Sequence, residues 1–186
     1  TAHNPVDPCQ SSQDPCWWED LHHGTGVIGS AVALDNADGS VGVAPANTTP
    51  ILAKALSGGF GLREQDFADA VLHVTNNWNS FVDPMRVAVT SIGFPDMLLH
   101  TALHDAFIIA AGQNNVLWFA AAGNNNGGFV VTPARFDEVV AVSAQSQNLN
   151  IAGFSSIGPE VELAAPGENL RMSWNRQSDS TGQQEF

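Results

Sequence analysis

His23-Gly24-Thr25-Gly26 sets an imidazole where a loop turns into a helix, beside glycines that permit close backbone approach. A histidine at such a place can act as a general base, or simply cap or pack the helix. Three further segments, rich in Gly, Asn and Ser, follow apolar runs: Ser91-Ile92-Gly93, Gly123-Asn124-Asn125-Asn126-Gly127-Gly128 and Ala165-Pro166-Gly167. None has the glycine spacing of a dinucleotide or phosphate loop. Hydrolytic chemistry on a neutral substrate fits these residue types better. Cys9 and Cys16 stand in a stretch rich in Pro, Asp and Ser, where a disulfide would contribute about 2 kcal/mol through loop entropy. Whether they pair is open. A zinc site is disfavoured, since no second Cys pair or His cluster stands at ligand spacing.

These segments need elements to hold them. Residues 1–20 carry Pro5, Pro8 and Pro15 with little periodicity and read as surface loop. From Gly24 to Leu34, apolar residues recur at three and four, which predicts a helix, and Asp35-Asn36-Ala37-Asp38-Gly39 ends it. Strands are expected at 51–56, 87–92, 116–122 and 139–144, and helices at 64–74 and 98–111. Strands alternating with helices imply a mostly parallel sheet covered on both faces. In such sheets, ligands bind beyond the carboxyl ends of the strands, where the three loops lie.

Composition narrows the partners. The chain has 186 residues, 44% of them apolar, enough for one compact domain with a sizeable core. Six Lys and Arg against nineteen Asp and Glu give a net charge of -13, which argues against nucleic acid and anionic membrane surfaces. The longest apolar stretches fall short of the roughly 18 residues a membrane span needs. The chain starts with Thr1 and lacks a basic, apolar leader, so a processed product or cut fragment is expected.

Read together, His23-Gly24-Thr25, Gly42-Val43-Ala44-Pro45, Ser91-Ile92-Gly93, Ala120-Ala121-Ala122-Gly123-Asn124, Pro133-Ala134-Arg135, Phe154-Ser155-Ser156 and Ala164-Ala165-Pro166-Gly167 closely resemble the subtilisin-like serine proteases in order and spacing. The resemblance runs from about residue 21 to 174. It implies an α/β three-layer sandwich with a mostly parallel sheet, here a single partial domain over 1–186, incomplete at both ends. It also implies a Ser nucleophile, a His base and an Asp orienter, in the chain order Asp, His, Ser.

By this resemblance His23 is the base, and the Asn124 amide donates to the oxyanion of the tetrahedral intermediate. Without it, Asn124 would be a turn residue that tolerates positive φ. Ser91, Ile92 and Gly93 resemble the edge along which the family holds its peptide as an added strand. Ala120, Ala121 and Gly123 would line the primary specificity pocket, whose small residues imply a roomy, neutral site. The same small residues would also serve tight strand-to-helix packing. Residues 34–40 resemble a structural calcium loop, with the Asn36 side chain and the carbonyls of Leu34, Asp38 and Ser40 as ligands. The alternative is an acidic turn without an ion. No organic cofactor is implied, the partner is a peptide or protein substrate, and secretion is expected.

Two parts of the family pattern are missing. No strand ends in the Asp-Ser/Thr-Gly setting, and Asp7, Asp14 and Asp20 lie in loop contexts that assign none of them as the orienter. No Gly-Thr-Ser nucleophile motif is present; Ser180-Thr181-Gly182 inverts the order and reads as a solvated loop. Gly26 and Ile28 depart from the His and Ala common there in the family. Two functions follow: an internal piece of an active serine endopeptidase, or a non-catalytic module that grips peptides along Ser91 to Gly93. The chain by itself is expected not to cut peptides, because a base without a nucleophile has nothing to activate. It is also expected to fold poorly alone, with apolar sheet surface and a strand edge left open.

Overall fold

The computed structural model describes residues 19–37, 39–46, 48–53, 55–57, 61–80, 85–95, 97–113 and 116–172. Cys9, Cys16, Asp7, Asp14, Asp38 and Ser180 lie outside them. The elements are α1 (Glu19–Val32), β1 (Leu56–Ser57), β2 (Gly61–Leu62), α2 (Glu64–Asn77), β3 (Val87–Thr90), α3 (Thr101–Gln113), β4 (Leu117–Ala121), β5 (Val140–Gln145) and β6 (Val161–Pro166). They fall into two compact units, one of Leu62–Asn169 and one drawn from Thr1–Gly61 with Leu170–Phe186. Among the described residues, no helix is long and apolar enough to cross a membrane.

The larger unit is built on a parallel sheet in the order β3-β4-β5-β6. Runs such as Val87-Ala88-Val89-Thr90 suit strands because their branched side chains pack on a pleated surface. Parallel neighbours need a long crossover, and α3 supplies it between β3 and β4. Register sets Val87 beside Leu117 and Thr90 beside Ala120, then Ala120 beside Ala141. Helices α2 and α3 pack together through apolar stripes, Phe67, Ala68 and Val71 on one, Leu103, Ala106, Phe107 and Ala110 on the other. Phe107 joins this pair to the sheet, meeting Trp118 edge-to-face at 5.2 Å between centroids.

The two faces of the sheet differ. Ala88, Thr90, Trp118, Ala120, Ala141 and Ser143 are buried. On the opposite face Val87, Val89, Leu117 and Leu163 remain exposed, from 49% to 63%. Helix α3 has no acidic residue in its own first turn. Its cap comes from α2 instead, where Glu64 Oε1 accepts the N–H groups of Ala102 at 2.7 Å and Leu103 at 3.2 Å.

In the smaller unit, 42–44 folds back on the end of α1. The N–H groups of Val43 and Ala44 donate to the carbonyls of Ser30 and Ala31 at 3.0 and 2.8 Å, satisfying acceptors the helix leaves open. Gly42 makes this possible, since a Cβ there would lie 2.5 Å from the Ala33 nitrogen.

Several boundaries differ from the sequence reading. Helix α1 begins at Glu19, so His23 stands inside the helix rather than at its start. The expected strand at 51–56 is reduced to Leu56–Ser57, with Ile51 and Leu52 exposed. Helix α3 starts at Thr101 rather than Leu98, because His100 has φ 44°, outside the right-handed helical region. Strand β6 was not expected: Glu162 and Pro166 disguise it.

Candidate active-site cleft

Strands β3 and β4 run parallel, so Ser91-Ile92-Gly93 and Ala122-Gly123-Asn124 leave the sheet at the same end. Between them lies a cavity of about 270 Å³, with Ser91, Ile92, Gly93 and Pro95 on one side and Ala121, Gly123, Asn124, Asn125 and Val131 on the other. None of these side chains ionises, so the cleft is neutral. The two walls are joined by an antiparallel bridge, in which Phe94 N–H donates to Thr132 O at 2.8 Å and Thr132 N–H to Phe94 O at 3.2 Å. Gly93 is needed for this approach, because a Cβ would run into the Thr132 carbonyl oxygen.

The Asn-rich loop is fixed residue by residue. Gly123 has φ 107°, and its carbonyl accepts Ser156 N–H at 2.7 Å. Asn125 N–H donates to Ser156 Oγ at 3.2 Å, and its side-chain amide donates to Phe129 O at 2.9 Å. Asn126 and Gly127 donate to the carbonyls of Phe154 and Ser155, both at 2.9 Å. The bracing serines are themselves anchored: Ser155 Oγ accepts Ala144 N–H at 2.9 Å, and Ser143 Oγ donates to Ser156 O at 2.8 Å. Ser155 and Ser156 are fully buried. Amid these engaged neighbours Asn124 is exposed, and no described residue hydrogen-bonds its side chain. A braced loop thus holds the uncommitted Asn124 amide at the cleft, as a preorganised donor requires.

The structure therefore brings Ser91, Ile92, Gly93, Ala121, Gly123 and Asn124 to one cleft. Ala120 does not line it. Alternation along β4 turns Ala120 to the covered face, beside Thr90 and Ala141, while Ala121 faces the other way. Pro95, Asn125 and Val131 also line the cleft. Their only sequence signal was position, each lying within a few residues of a recognised block.

His23 belongs to the other unit, exposed on α1. Gly26, three residues on, is buried under Met172, whose sulfur would lie 3.3 Å from a Cβ placed there. That contact accounts for the departure at Gly26. In the loop after α1, Ala37 and Gly39 adopt positive φ of 65° and 70°, and Leu34 and Asn36 are exposed. Among the described residues, no group of three His, Cys, Asp or Glu is placed to hold a metal. Any ion at Leu34, Asn36 and Ser40 would depend on backbone carbonyls and one amide.

The chain resembles known proteins over most of its length. Residues 11–185 match the model of the subtilase family. Subtilisin DY of Bacillus licheniformis is 34% identical over 151 residues, 80% of this chain and 52% of that protein. The halolysin-like extracellular serine protease Nep of Natrialba magadii is 34% identical over 83% of this chain and 27% of its own length. The solved structure of the S41 psychrophilic protease superimposes with a TM-score of 0.71 at 29% identity, over 82% of this chain and 54% of that one. The chain spans about half the length, or less, of these relatives. With the family model matched over residues 11–185 and relatives at 34% identity over four fifths of its length, the chain belongs to the subtilase family.

Proposed function

We propose that the protein carrying this chain is a serine endopeptidase and that this chain supplies its base, its oxyanion donor and its substrate edge. A peptide lies along Ser91-Ile92-Gly93 as an added antiparallel strand, and its side chain at the scissile bond enters the neutral space beside Ala121 and Gly123. The Asn124 amide donates to the oxyanion as the carbonyl becomes tetrahedral. His23 takes the proton of the nucleophilic serine and returns it to the leaving amine. The serine and the orienting aspartate lie outside the blocks matched here. The uncommitted Asn124 amide on an otherwise braced loop carries this reading. Secretion is proposed with it, as is a structural calcium held by Leu34, Asn36, Asp38 and Ser40.

The test is turnover of a neutral peptide ester by the full-length protein, with and without a serine-directed organophosphorus inhibitor. Turnover abolished by the inhibitor supports the endopeptidase. Peptide binding without turnover would instead establish the non-catalytic peptide-binding module.

A further inference from the structure

Val131 lines the cleft together with the glycines of its two walls, Gly93 and Gly123. A Cβ on Gly93 would lie 3.1 Å from Val131 Cγ2. A Cβ on Gly123 would lie 2.5 Å from Cγ1 and 3.0 Å from Cγ2. The two methyl groups therefore stand against both walls at once, in the room that the glycines leave. Val131 is only 7% exposed, so it closes the base of the cleft rather than its rim.

This side chain is fixed in place. Branching at Cβ makes valine stiff at χ1. Its backbone is held on both sides, with Val131 N–H donating to Ala122 O at 2.9 Å and Val131 O accepting Arg135 N–H at 3.2 Å. The next residue, Thr132, exchanges both backbone hydrogen bonds with Phe94, which follows Gly93 directly. The cavity of about 270 Å³ has its lining run from the Ser91 edge to Asn125, so a peptide lying along that edge must fit its backbone and its side chain into the same space. No lining residue ionises, and a charged side chain entering here would lose water without gaining a partner.

We propose that Val131 is a specificity-determining residue: it restricts the residue whose carbonyl is attacked to a small, uncharged one, glycine, alanine or serine. Small neighbours such as Ala121 and Gly123 alone imply a roomy site, but the Val131 methyl groups take up that room. A branched or aromatic side chain would overlap them or stay in solvent, and rejection by such a clash discriminates as well as any attraction. This inference rests on the peptide-cleft reading above and adds the substrate class to it.

The experiment measures kcat/KM of the full-length protein for neutral peptide esters that are identical except for glycine, alanine, leucine or phenylalanine at the scissile carbonyl. The alanine ester should exceed the phenylalanine ester by at least about tenfold, the lower end of what one methylene is worth in an apolar pocket. Val131→Ala removes both methyl groups and should raise the phenylalanine ester relative to the alanine ester by at least about tenfold. Val131→Thr keeps the branched shape and should keep the original order. A phenylalanine ester turned over as well as the alanine ester by the unsubstituted protein overturns the proposal, and that comparison needs no variant to fold. A ratio unmoved by Val131→Ala, in protein with an unchanged circular dichroism spectrum, overturns it too. If no ester is turned over, the affinities of the corresponding peptides, measured by calorimetry, decide. Tighter binding of the alanine peptide, relaxed by Val131→Ala, keeps the role of Val131 while the endopeptidase falls. Equal binding overturns the role alone, and no binding removes it together with the peptide-cleft reading.

Discussion

Gly123→Ala tests whether the cleft depends on a backbone only glycine can supply. At φ 107° an alanine is strained, which costs about 1–2 kcal/mol. Its Cβ would also lie 2.5 Å from Val131 Cγ1, 3.0 Å from Cγ2 and 3.1 Å from Ser156 Oγ. Val131 cannot move aside by rotation, because both its branches crowd the same point and β-branched side chains are stiff at χ1. Its backbone is pinned too, with N–H donating to Ala122 O at 2.9 Å. Overpacking of this kind costs about 1–3 kcal/mol, so the substitution should destabilise by about 2–5 kcal/mol in total. Urea unfolding of the full-length protein by far-ultraviolet circular dichroism reads the total. Repeating it in a Val131→Ala background separates most of the overpacking from the rest, since the backbone strain of about 1–2 kcal/mol and the milder Ser156 Oγ contact should then remain. A Gly123→Ala protein within about 0.5 kcal/mol of the parent would falsify the geometry argued here.

Ser155→Ala leaves the half-buried Ala144 N–H without its acceptor and should cost about 1–2 kcal/mol. Amide exchange at Asn126 and Gly127, which donate to the Phe154 and Ser155 carbonyls, should quicken in the same variant; unchanged exchange would show that the serine does not brace the loop. If residues 34–40 hold calcium, a free concentration a hundredfold above Kd should stabilise the protein by about 2.7 kcal/mol, seen as a Tm lowered by a chelator. Asn36→Ala should erase that difference, and a Tm indifferent to chelator would leave an ordinary turn. The 186-residue chain by itself should not turn over a neutral peptide ester, for want of a nucleophile. Inhibitor-sensitive turnover by chain of verified length would contradict this.

The strands of the sheet were legible where chemistry and burial coincide. Val87-Ala88-Val89-Thr90 and Val140-Ala141-Val142 are β-branched runs of which the sheet buries alternate residues, Ala88, Thr90 and Ala141, and the structure has them within a residue or two of expectation. Strand β6 was hidden because it lies at the margin of the described sheet, where Glu162 accepts Ala141 N–H at a register shift with β5 and a terminal Pro166 is tolerated. Ala120 was assigned to the wrong side by treating a block as a unit, although a two-residue period separates it from Ala121. Val131 and Pro95 could not have been read locally. The bridge between Phe94 and Thr132 brings them to the cleft across a long loop, and no periodicity records such a pairing. The bracing of the residues around Asn124 by 154–156 was likewise invisible as mechanism, although the Phe154-Ser155-Ser156 block itself was recognised.

The most direct measurement is kcat and KM of the full-length protein for a neutral peptide ester, before and after Asn124→Ala. The account predicts a loss of about 10²- to 10³-fold in kcat with KM nearly constant, the size known for the oxyanion-donating asparagine of subtilisin. A kcat unchanged by the substitution would contradict it, because an amide that donates only to the transition state cannot be removed without slowing the reaction.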